Sequence, residues 1–592
     1  MIPNNDLDIN QNSYVIRIGG EAGWGIASAA DIIAKLFMKL NHHLFSSKEY
    51  MSQIKKGHNF HTIRISKQQV HADLNKIDLL LALDQTTLDT HQNLVSDKGI
   101  ILHDDKVKIN IEQSKKINLI QIPLTKIEEK LKEKNIHNAV YLGSLTKVLG
   151  IDYALLRKII KERFVGKEKL ASKLLLAAKE GYDAVNKIQD FPHQEENQDS
   201  KIISDFLDGN EAITKGALKA GLTFHVQYPM TPVSGILHYL AKEAIKNKNL
   251  TVVQPEDEIA GINFALGASY AGKRAMTATA GGGFALMVES LGLAGVAEIP
   301  LVLIEGQRPG PGTGLPTKTE QGDLKFVLSA GVGDFPKIVI APTTIEECYT
   351  ETKRAFYLAE KYQTLAIILV DKHLVESVKT FNLADLEKDF TFDYEKRINI
   401  INQVDPSKLN SDGLFKRYEK DETQRTIPGT ENGMYTCAGD EHDSVGEITE
   451  DRDIRNQMMQ KRMNKLNLIK KELPVPKLIG PEDADLTIVS WGSNHGAIIE
   501  AMELLNSENK INQKVNFLSI KYMAPFQENE IKEILEKAKQ LILIENNYSA
   551  QLACLIREKT GINIENQILR SDGRTFTVDD VYNQIKQKQK QT

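Results

Sequence analysis

The chain has 592 residues, 41% of them hydrophobic and 26% charged, with a formal net charge of -5, the proportions of a soluble globular protein. That length exceeds what one hydrophobic core organises and implies roughly three or four domains, while the slightly acidic balance leaves no basic footprint and argues against a nucleic-acid partner. No uncharged run approaches a membrane span and Met1 to Asp6 has neither a basic nor an apolar region, so no membrane is expected and the expected location is cytoplasmic.

Ser13 to Ile18 alternates like a strand, and Gly19-Gly20-Glu21-Ala22-Gly23-Trp24-Gly25 then breaks into a helix from about Ile26 to Leu40. Short apolar runs predict strands at Asp78 to Leu83, Gly99 to His103 and Leu119 to Ile122, and helical spacing covers Asn138 to Leu149 and Lys167 to Lys187. These elements predict an α/β domain over residues 1–190. Polar, aperiodic Phe191 to Ser200 marks a linker, placed at 191–204.

A second α/β unit, 205–385, starts with a helix at Asp208-Gly209-Asn210-Glu211. It continues through strands at Thr251 to Val253, Ala275 to Ala278, Leu301 to Ile304 and Leu365 to Val370, most economically parallel with crossover helices. Residues 386–478 turn charged and irregular around a mixed-charge helix from Asp451 to Lys471, a connecting excursion suited to a functional or intersubunit contact. Strands at Asp485 to Val489, Val515 to Ser519 and Gln540 to Ile544, with helices near Gly496 to Leu505 and Asn529 to Ala538, form a last α/β domain, 479–592. The expected fold class is α/β with several doubly wound domains.

The three cysteines, Cys348, Cys437 and Cys554, lie far apart in sequence. They support neither a disulfide framework nor a zinc knuckle, and an iron-sulfur cluster needing four thiolates cannot be built from them.

Chemistry concentrates in 205–385. Tyr228-Pro229-Met230-Thr231-Pro232 follows a predicted strand and precedes a helix, where α/β folds bind ligands, and presents the hydroxyls of Tyr228 and Thr231. As a bare pattern it favours the plainer reading, a stiff turn before a capped helix. Glu258 closes Gln254-Pro255-Glu256-Asp257-Glu258 at the start of a helix of unusually small residues, which permit close approach by a cofactor. Thiamine diphosphate needs a carboxylic acid at its aminopyrimidine ring, and a dry pocket favours the protonated form of such a group. Spacing alone favours the plainer role, in which the three carboxylates cap the helix and complement its dipole. Gly281-Gly282-Gly283 follows a strand and either turns backbone amides toward an anion or packs helix on strand. Arg308 opens the stiff loop Pro309-Gly310-Pro311-Gly312-Thr313-Gly314, from which a guanidinium can grip a carboxylate bidentately, and Thr317 adds a hydroxyl.

In this order and spacing the motifs resemble the α chain of the 2-oxoacid:ferredoxin oxidoreductases, in the form with a γ domain fused at the N-terminus. Gly19 to Gly25 and Glu49-Tyr50 to Lys56-Gly57-His58-Asn59 resemble the γ domain, Gly209-Asn210-Glu211-Ala212 through Val370 the pyrimidine-binding domain, and Trp491-Gly492-Ser493 through Asn546 the transketolase C-terminal-like domain, with the tail Gly573-Arg574-Thr575-Phe576-Thr577. The resemblance implies an enzyme of the EC 1.2.7 class that oxidatively decarboxylates a 2-oxoacid, with 2-oxoglutarate the leading expectation, to acyl-CoA and CO2 and passes electrons to ferredoxin. It assigns Glu258 to the aminopyrimidine, Arg308 and Thr317 to the 2-oxoacid, and Tyr228 to Pro232 to the same pocket. It implies thiamine diphosphate shared with a β subunit, coenzyme A as acyl acceptor and a dimer of heterodimers. Ala280 stands where the family often has serine, Met230 where it often has isoleucine, and Glu21-Ala22 in the glycine loop where glutamine is commoner. No Gly-Asp-Gly with a downstream asparagine is present, so this chain is expected to supply no metal ligands, and Mg2+ and a [4Fe-4S] cluster are expected on the β subunit. The alternatives are a pyruvate, branched-chain or indolepyruvate oxidoreductase subunit, or a noncatalytic nucleotide-binding electron-transfer subunit.

Overall fold

The structure is a computed structural model that describes residues 13–51, 57–110, 116–133, 136–186, 196–198, 202–388, 399–420, 423–507 and 514–589. Three sheets carry the fold. The first contains β1 (Ser13–Glu21), β2 (His43–Glu49), β3 (His58–Ser66), β4 (Ile77–Ala82), β5 (Val95–Asp104), β6 (Asn118–Ile122) and β7 (Asp205–Asp208). The second is built from β8 (Phe224–Val226), β9 (Thr251–Val253), β10 (Ala275–Thr279), β11 (Leu301–Gln307), β12 (Lys337–Ile340) and β13 (Leu365–Asp371). After these, β14 (Val378–Phe381) returns to the first sheet. The third comprises β15 (Leu478–Ile479), β16 (Leu486–Ser490), β17 (Val515–Ser519), β19 (Leu541–Glu545) and β20 (Gln567–Leu569), while β18 (Tyr522–Ala524) joins the second.

The first sheet runs β6-β5-β4-β1-β3-β2-β14-β7; its β6 to β1 half is parallel and the rest antiparallel. One sequence expectation changes here, and two strands appear that the sequence did not announce. Gly19, Gly20 and Glu21 do not form a loop but continue β1, paired with Phe60, Asn59 and His58. The antiparallel β2 and β3 had no clean apolar alternation to announce them, and their polar residues are tolerated because pairing on both edges satisfies the backbone. Of the linker expected over 191–204, only 196–198 and 202–204 are described. There Asn197 donates to the Lys67 carbonyl at 2.9 Å and its backbone N–H to Leu40 at 2.9 Å.

In the second sheet, ordered β18-β12-β13-β11-β10-β8-β9, the six strands from β8 to β13 are parallel and only β18 is antiparallel. Alternate residues of β11 enter opposite cores. Val302 and Ile304 pack with the helices 209–219 and 345–362, and Leu301 and Leu303 pack with the helices that follow β9 and β10 and with the third sheet's Val489, Trp491 and Leu518. From β8 the chain moves outward to β9 and then back past β8 to β10, a topological switch point that leaves a crevice at the carboxyl ends of these strands. No helix among the described residues is long and apolar enough to cross a membrane.

Residues 399–420 and 423–477 are mostly irregular before the helix Arg452–Glu472, yet they are anchored. Lys461 and Lys465 reach the buried Glu298 at 2.9 and 2.5 Å, and Arg417 donates to the Glu298 carbonyl at 3.2 Å. Burial would raise the Glu298 acid, but Lys465, Lys461 and Arg417 overcome it and hold the group below its ordinary range. Removing one partner of a buried ion cluster strands the others without compensation. Glu298→Gln should therefore speed hydrogen exchange in 412–420 and 452–472 by a factor corresponding to about 3 kcal/mol, leaving residues 13–110 unchanged; equal exchange in both variants would show that the cluster anchors nothing.

Candidate active site

Four loops converge at the crevice, one from the end of each of the adjacent strands β11, β10, β8 and β9. The loop after β9 carries Glu258, which is buried at the first turn of the helix Glu258–Tyr270. The capping question resolves clearly. Asp257 is the N-cap, its carboxylate accepting the Ala260 N–H at 2.8 Å, so Glu258 is left free of that duty. One Glu258 oxygen, Oε1, is buried without a hydrogen-bond partner. The loop after β10 presses against the same carboxyl. A Cβ added to Gly283 would fall 2.5 Å from Glu258 Oε1 and 2.1 Å from Thr279 Oγ1, so only glycine leaves room. A Cβ on Gly282 would meet nothing within 4 Å, and one on Gly281 would fall 2.7 Å from Asp323 Oδ2. The glycine triplet thus separates two carboxyls and is open between them.

Arg308 follows β11 directly and is half-buried. Its Nη1 donates to the Thr231 carbonyl at 3.2 Å, which ties the arginine loop to the Tyr228–Pro232 loop. Burial lowers the basicity of Arg308, and Asp323, Glu258 and Glu305 act against that. No ion pair joins Arg308 to a described carboxylate, so its remaining donors are available to a ligand. Gly314 closes the loop. It sits at φ 52°, and a Cβ there would fall 1.8 Å from the Pro309 carbonyl oxygen. Thr231 and Thr317 are half-buried and Tyr228 is exposed at the crevice. Glu258, Arg308, Thr231 and Gly281 to Gly283 are therefore brought together, while Tyr228 and Thr317 stand on the flanking loops without a hydrogen bond to that group.

The arginine loop is held from both sides. Its Lys318 pairs with Glu49 at the end of β2, and Lys372 reaches the same carboxylate at 3.3 Å. On the other side, the Gln321 N–H donates to the Asn546 carbonyl at 2.7 Å, its Oε1 accepts from the Asn546 N–H at 3.1 Å and from Asn494 Nδ2 at 3.0 Å, and the Thr319 N–H donates to the Gly573 carbonyl at 3.3 Å. Gln321, Glu305 and Asp323 were passed over in the sequence, and Glu49 was noted only as part of the γ-domain motif. For Glu305 alone a signal existed, an acid interrupting the apolar run of β11.

The residues fit the cofactor suggested by the motifs. Glu258 presents an unsatisfied buried oxygen, Gly283 allows close approach to it, and the space beside Gly282 is open, as an aminopyrimidine ring nitrogen would require.

Comparison with known proteins agrees with this architecture. Residues 215–459 match the thiamine diphosphate-binding domain of the pyruvate flavodoxin/ferredoxin oxidoreductases, 15–184 the pyruvate ferredoxin/flavodoxin oxidoreductase domain, and 484–581 the pyruvate:ferredoxin oxidoreductase core domain II. These matches define an α/β oxidoreductase of the thiamine diphosphate-binding type. The 2-oxoacid:ferredoxin oxidoreductase α subunit of a Sulfolobus species is 33% identical over an alignment that covers 95% of each chain. The 2-oxoglutarate oxidoreductase subunit KorA of Mycobacterium tuberculosis is 27% identical, covering 96% of this chain and 90% of that one. A solved 2-oxoglutarate:ferredoxin oxidoreductase from Magnetococcus marinus, with 2-oxoglutarate, coenzyme A and succinyl-CoA bound, superposes with a TM-score of 0.87 at 30% identity over 98% of this chain and 100% of that one. The chain belongs to the 2-oxoacid:ferredoxin oxidoreductase family, as an α subunit with an N-terminal γ-type domain.

The assignment of the cap is checked by stability. Asp257→Ala should cost about 1 kcal/mol, seen as faster hydrogen exchange in 258–270, whereas Glu258→Gln should leave that exchange unchanged or slower. The reverse order would return the capping role to Glu258.

Proposed function

We propose that this chain carries half of an active site that oxidatively decarboxylates a 2-oxoacid to an acyl-CoA and CO2, with electrons passing to ferredoxin. The observation that carries the reading is the buried, unsatisfied Glu258 carboxyl abutted by Gly283 and faced by Arg308. Thiamine diphosphate, when bound, supplies a nucleophilic carbon and an electron sink for decarboxylation. Glu258 holds a proton at the cofactor's aminopyrimidine, and Gly281 to Gly283 give the backbone clearance for it. Arg308, set by the Thr231 carbonyl, orients the substrate carboxylate, with Thr231, Thr317 and Tyr228 offering hydroxyls around it.

A second chain is needed. The helix Glu258–Tyr270 is apolar nearly all round, yet Ile259 and Phe264 on it and Leu286 beside it are exposed, a surface suited to burial under another subunit. Three cysteines are too few for a four-thiolate cluster and the sequence has no Gly-Asp-Gly motif, so on this reading the cluster and the Mg2+ and diphosphate ligands belong to the β subunit. The working assembly is then an αβ pair, doubled to a dimer of heterodimers, in the cytoplasm.

For the substrate we favour 2-oxoglutarate. A polar cavity of about 330 Å³ adjoins Thr231 and is lined by Lys48, His238 and Lys242 together with Asp208, Asn210 and Glu376, an environment with cations for a second carboxylate that pyruvate would not use.

In the complex with the β subunit, Glu258→Gln should lower turnover by a factor of 100 or more, on the order of general acid-base contributions, with assembly intact. Loss of the bidentate contact in Arg308→Lys should cost on the order of 2–3 kcal/mol, roughly 30- to 150-fold in kcat/KM, and Arg308→Ala more. Equal losses for pyruvate and 2-oxoglutarate place Arg308 on the carboxylate common to both; a loss confined to 2-oxoglutarate moves it to the distal one. An alanine variant unchanged toward each substrate would remove Arg308 from the site.

A further inference from the structure

Around the single guanidinium of Arg308 stand three carboxyls, Glu258, Glu305 and Asp323. Were all three ionised, the group would carry a net charge that repels an anionic substrate, so the arrangement demands an account of where the protons are.

Glu305 lies on the central strand β11, flanked by β10 and β13, on the same face as Leu301 and Leu303. It is fully buried, and neither of its oxygens meets an amide, guanidinium or hydroxyl donor. Asp323 is brought to the same face, because Gln307, two residues along β11, accepts its N–H at 3.0 Å, and its carboxyl acts on Glu305. An isolated ionised carboxylate in an apolar layer is far more costly than a neutral acid, and a second ionised carboxyl beside it raises that cost. From the other direction Gly281 stands against Asp323, with no Cβ where one would fall 2.7 Å from Asp323 Oδ2.

We propose that Glu305 and Asp323 hold one proton in common and that this pair sets the charge around Arg308, thereby controlling how strongly the site takes the carboxylate of its substrate. The inference rests on the reading of Arg308 given above. Burial and then the facing Asp323 push Glu305 well above the ordinary carboxylate range, and burial, opposed by Arg308, brings Asp323 up to about 6. Near neutrality the pair therefore has one proton, on Glu305, and a single negative charge. As the pH falls through about 6, Asp323 takes a second proton from solvent and the charge disappears. An incoming carboxylate has the same effect, since it favours the protonated pair. The other titratable groups that act on this cluster are Glu320, in the same loop and raised to about 7 by burial and by Asp323, and Glu258, which also acts on Arg308.

The sign follows directly. Substrate binding is weaker with Asp323 ionised, so KM for the 2-oxoacid should fall by about tenfold between pH 8 and pH 5.5, the scale of one unit charge acting across a few ångströms of partly screened medium. In the αβ complex Asp323→Asn should flatten that dependence, holding KM near its low-pH value throughout. Glu305→Gln places a permanent donor opposite Asp323 and should shift the inflection to lower pH. Glu320→Gln, the control for the neighbouring acid, should keep the inflection. Independently of turnover, the infrared difference between wild type and Glu305→Gln at pH 7 should contain the C=O stretch of a protonated carboxyl. An Asp323→Asn enzyme that retains the wild-type KM dependence, or an infrared difference without that band, would overturn the proposal. Arg308→Ala separates the two levels: if it too leaves kcat/KM unchanged the reading of the site fails, and if it alone is impaired only the carboxyl pair is wrong.

Discussion

A carboxyl oxygen left without a partner inside a protein costs about 1–3 kcal/mol, and Glu258 Oε1 is such an atom. The chain does nothing to relieve it. Asp257 takes the capping duty that would have used a carboxylate at this turn, and the neighbouring backbone is glycine at 283, so no side chain fills the space. An unsatisfied group that persists in a well-packed domain is best understood as a group whose partner arrives with the ligand. In the proposed site Arg308 meets the substrate beside that oxygen, and Asp323 and Glu305 adjust its surroundings.

Positioning comes from outside the pyrimidine-binding sheet as much as from within it. The loop after Arg308 is pinned by Glu49 of the N-terminal domain through Lys318, and by Asn494, Asn546 and Gly573 of the C-terminal domain through Gln321 and Thr319. Strand pairing ties the same regions together, β14 with β2 on one side and β12 with β18 on the other. Rigid loops supported by several contacts hold catalytic groups more closely than flexible ones, which explains why a site made of four loops needs three domains to build it.

Much of this was legible in the sequence where one element sufficed. The apolar runs of β4, β10, β11 and β13 and the periodic helices 26–39 and 452–472 have local signals, and the Pro/Gly loops at Tyr228 and Arg308 announce themselves by composition. The polar strands β2 and β3 do not, because their stability comes from pairing on both edges and not from a patterned face. Glu258 and Asp257 are adjacent acids that no spacing rule tells apart; only the geometry of the first turn gives one the cap and the other the pocket. Contacts such as Lys318 with Glu49 or Glu305 with Asp323 join residues far apart or on different elements, and nothing in a one-dimensional pattern specifies them.

In the proposed assembly this chain holds the carboxyl side of a cofactor site that only a second subunit completes. Titrating thiamine diphosphate with Mg2+ into the purified chain, into the β subunit and into their complex, followed by calorimetry, tests it most directly. Tight binding is expected in the complex alone, weakened when Gly283→Ala crowds the Glu258 carboxyl. Binding by the isolated chain as tight as by the complex, and indifferent to Gly283→Ala, would contradict it.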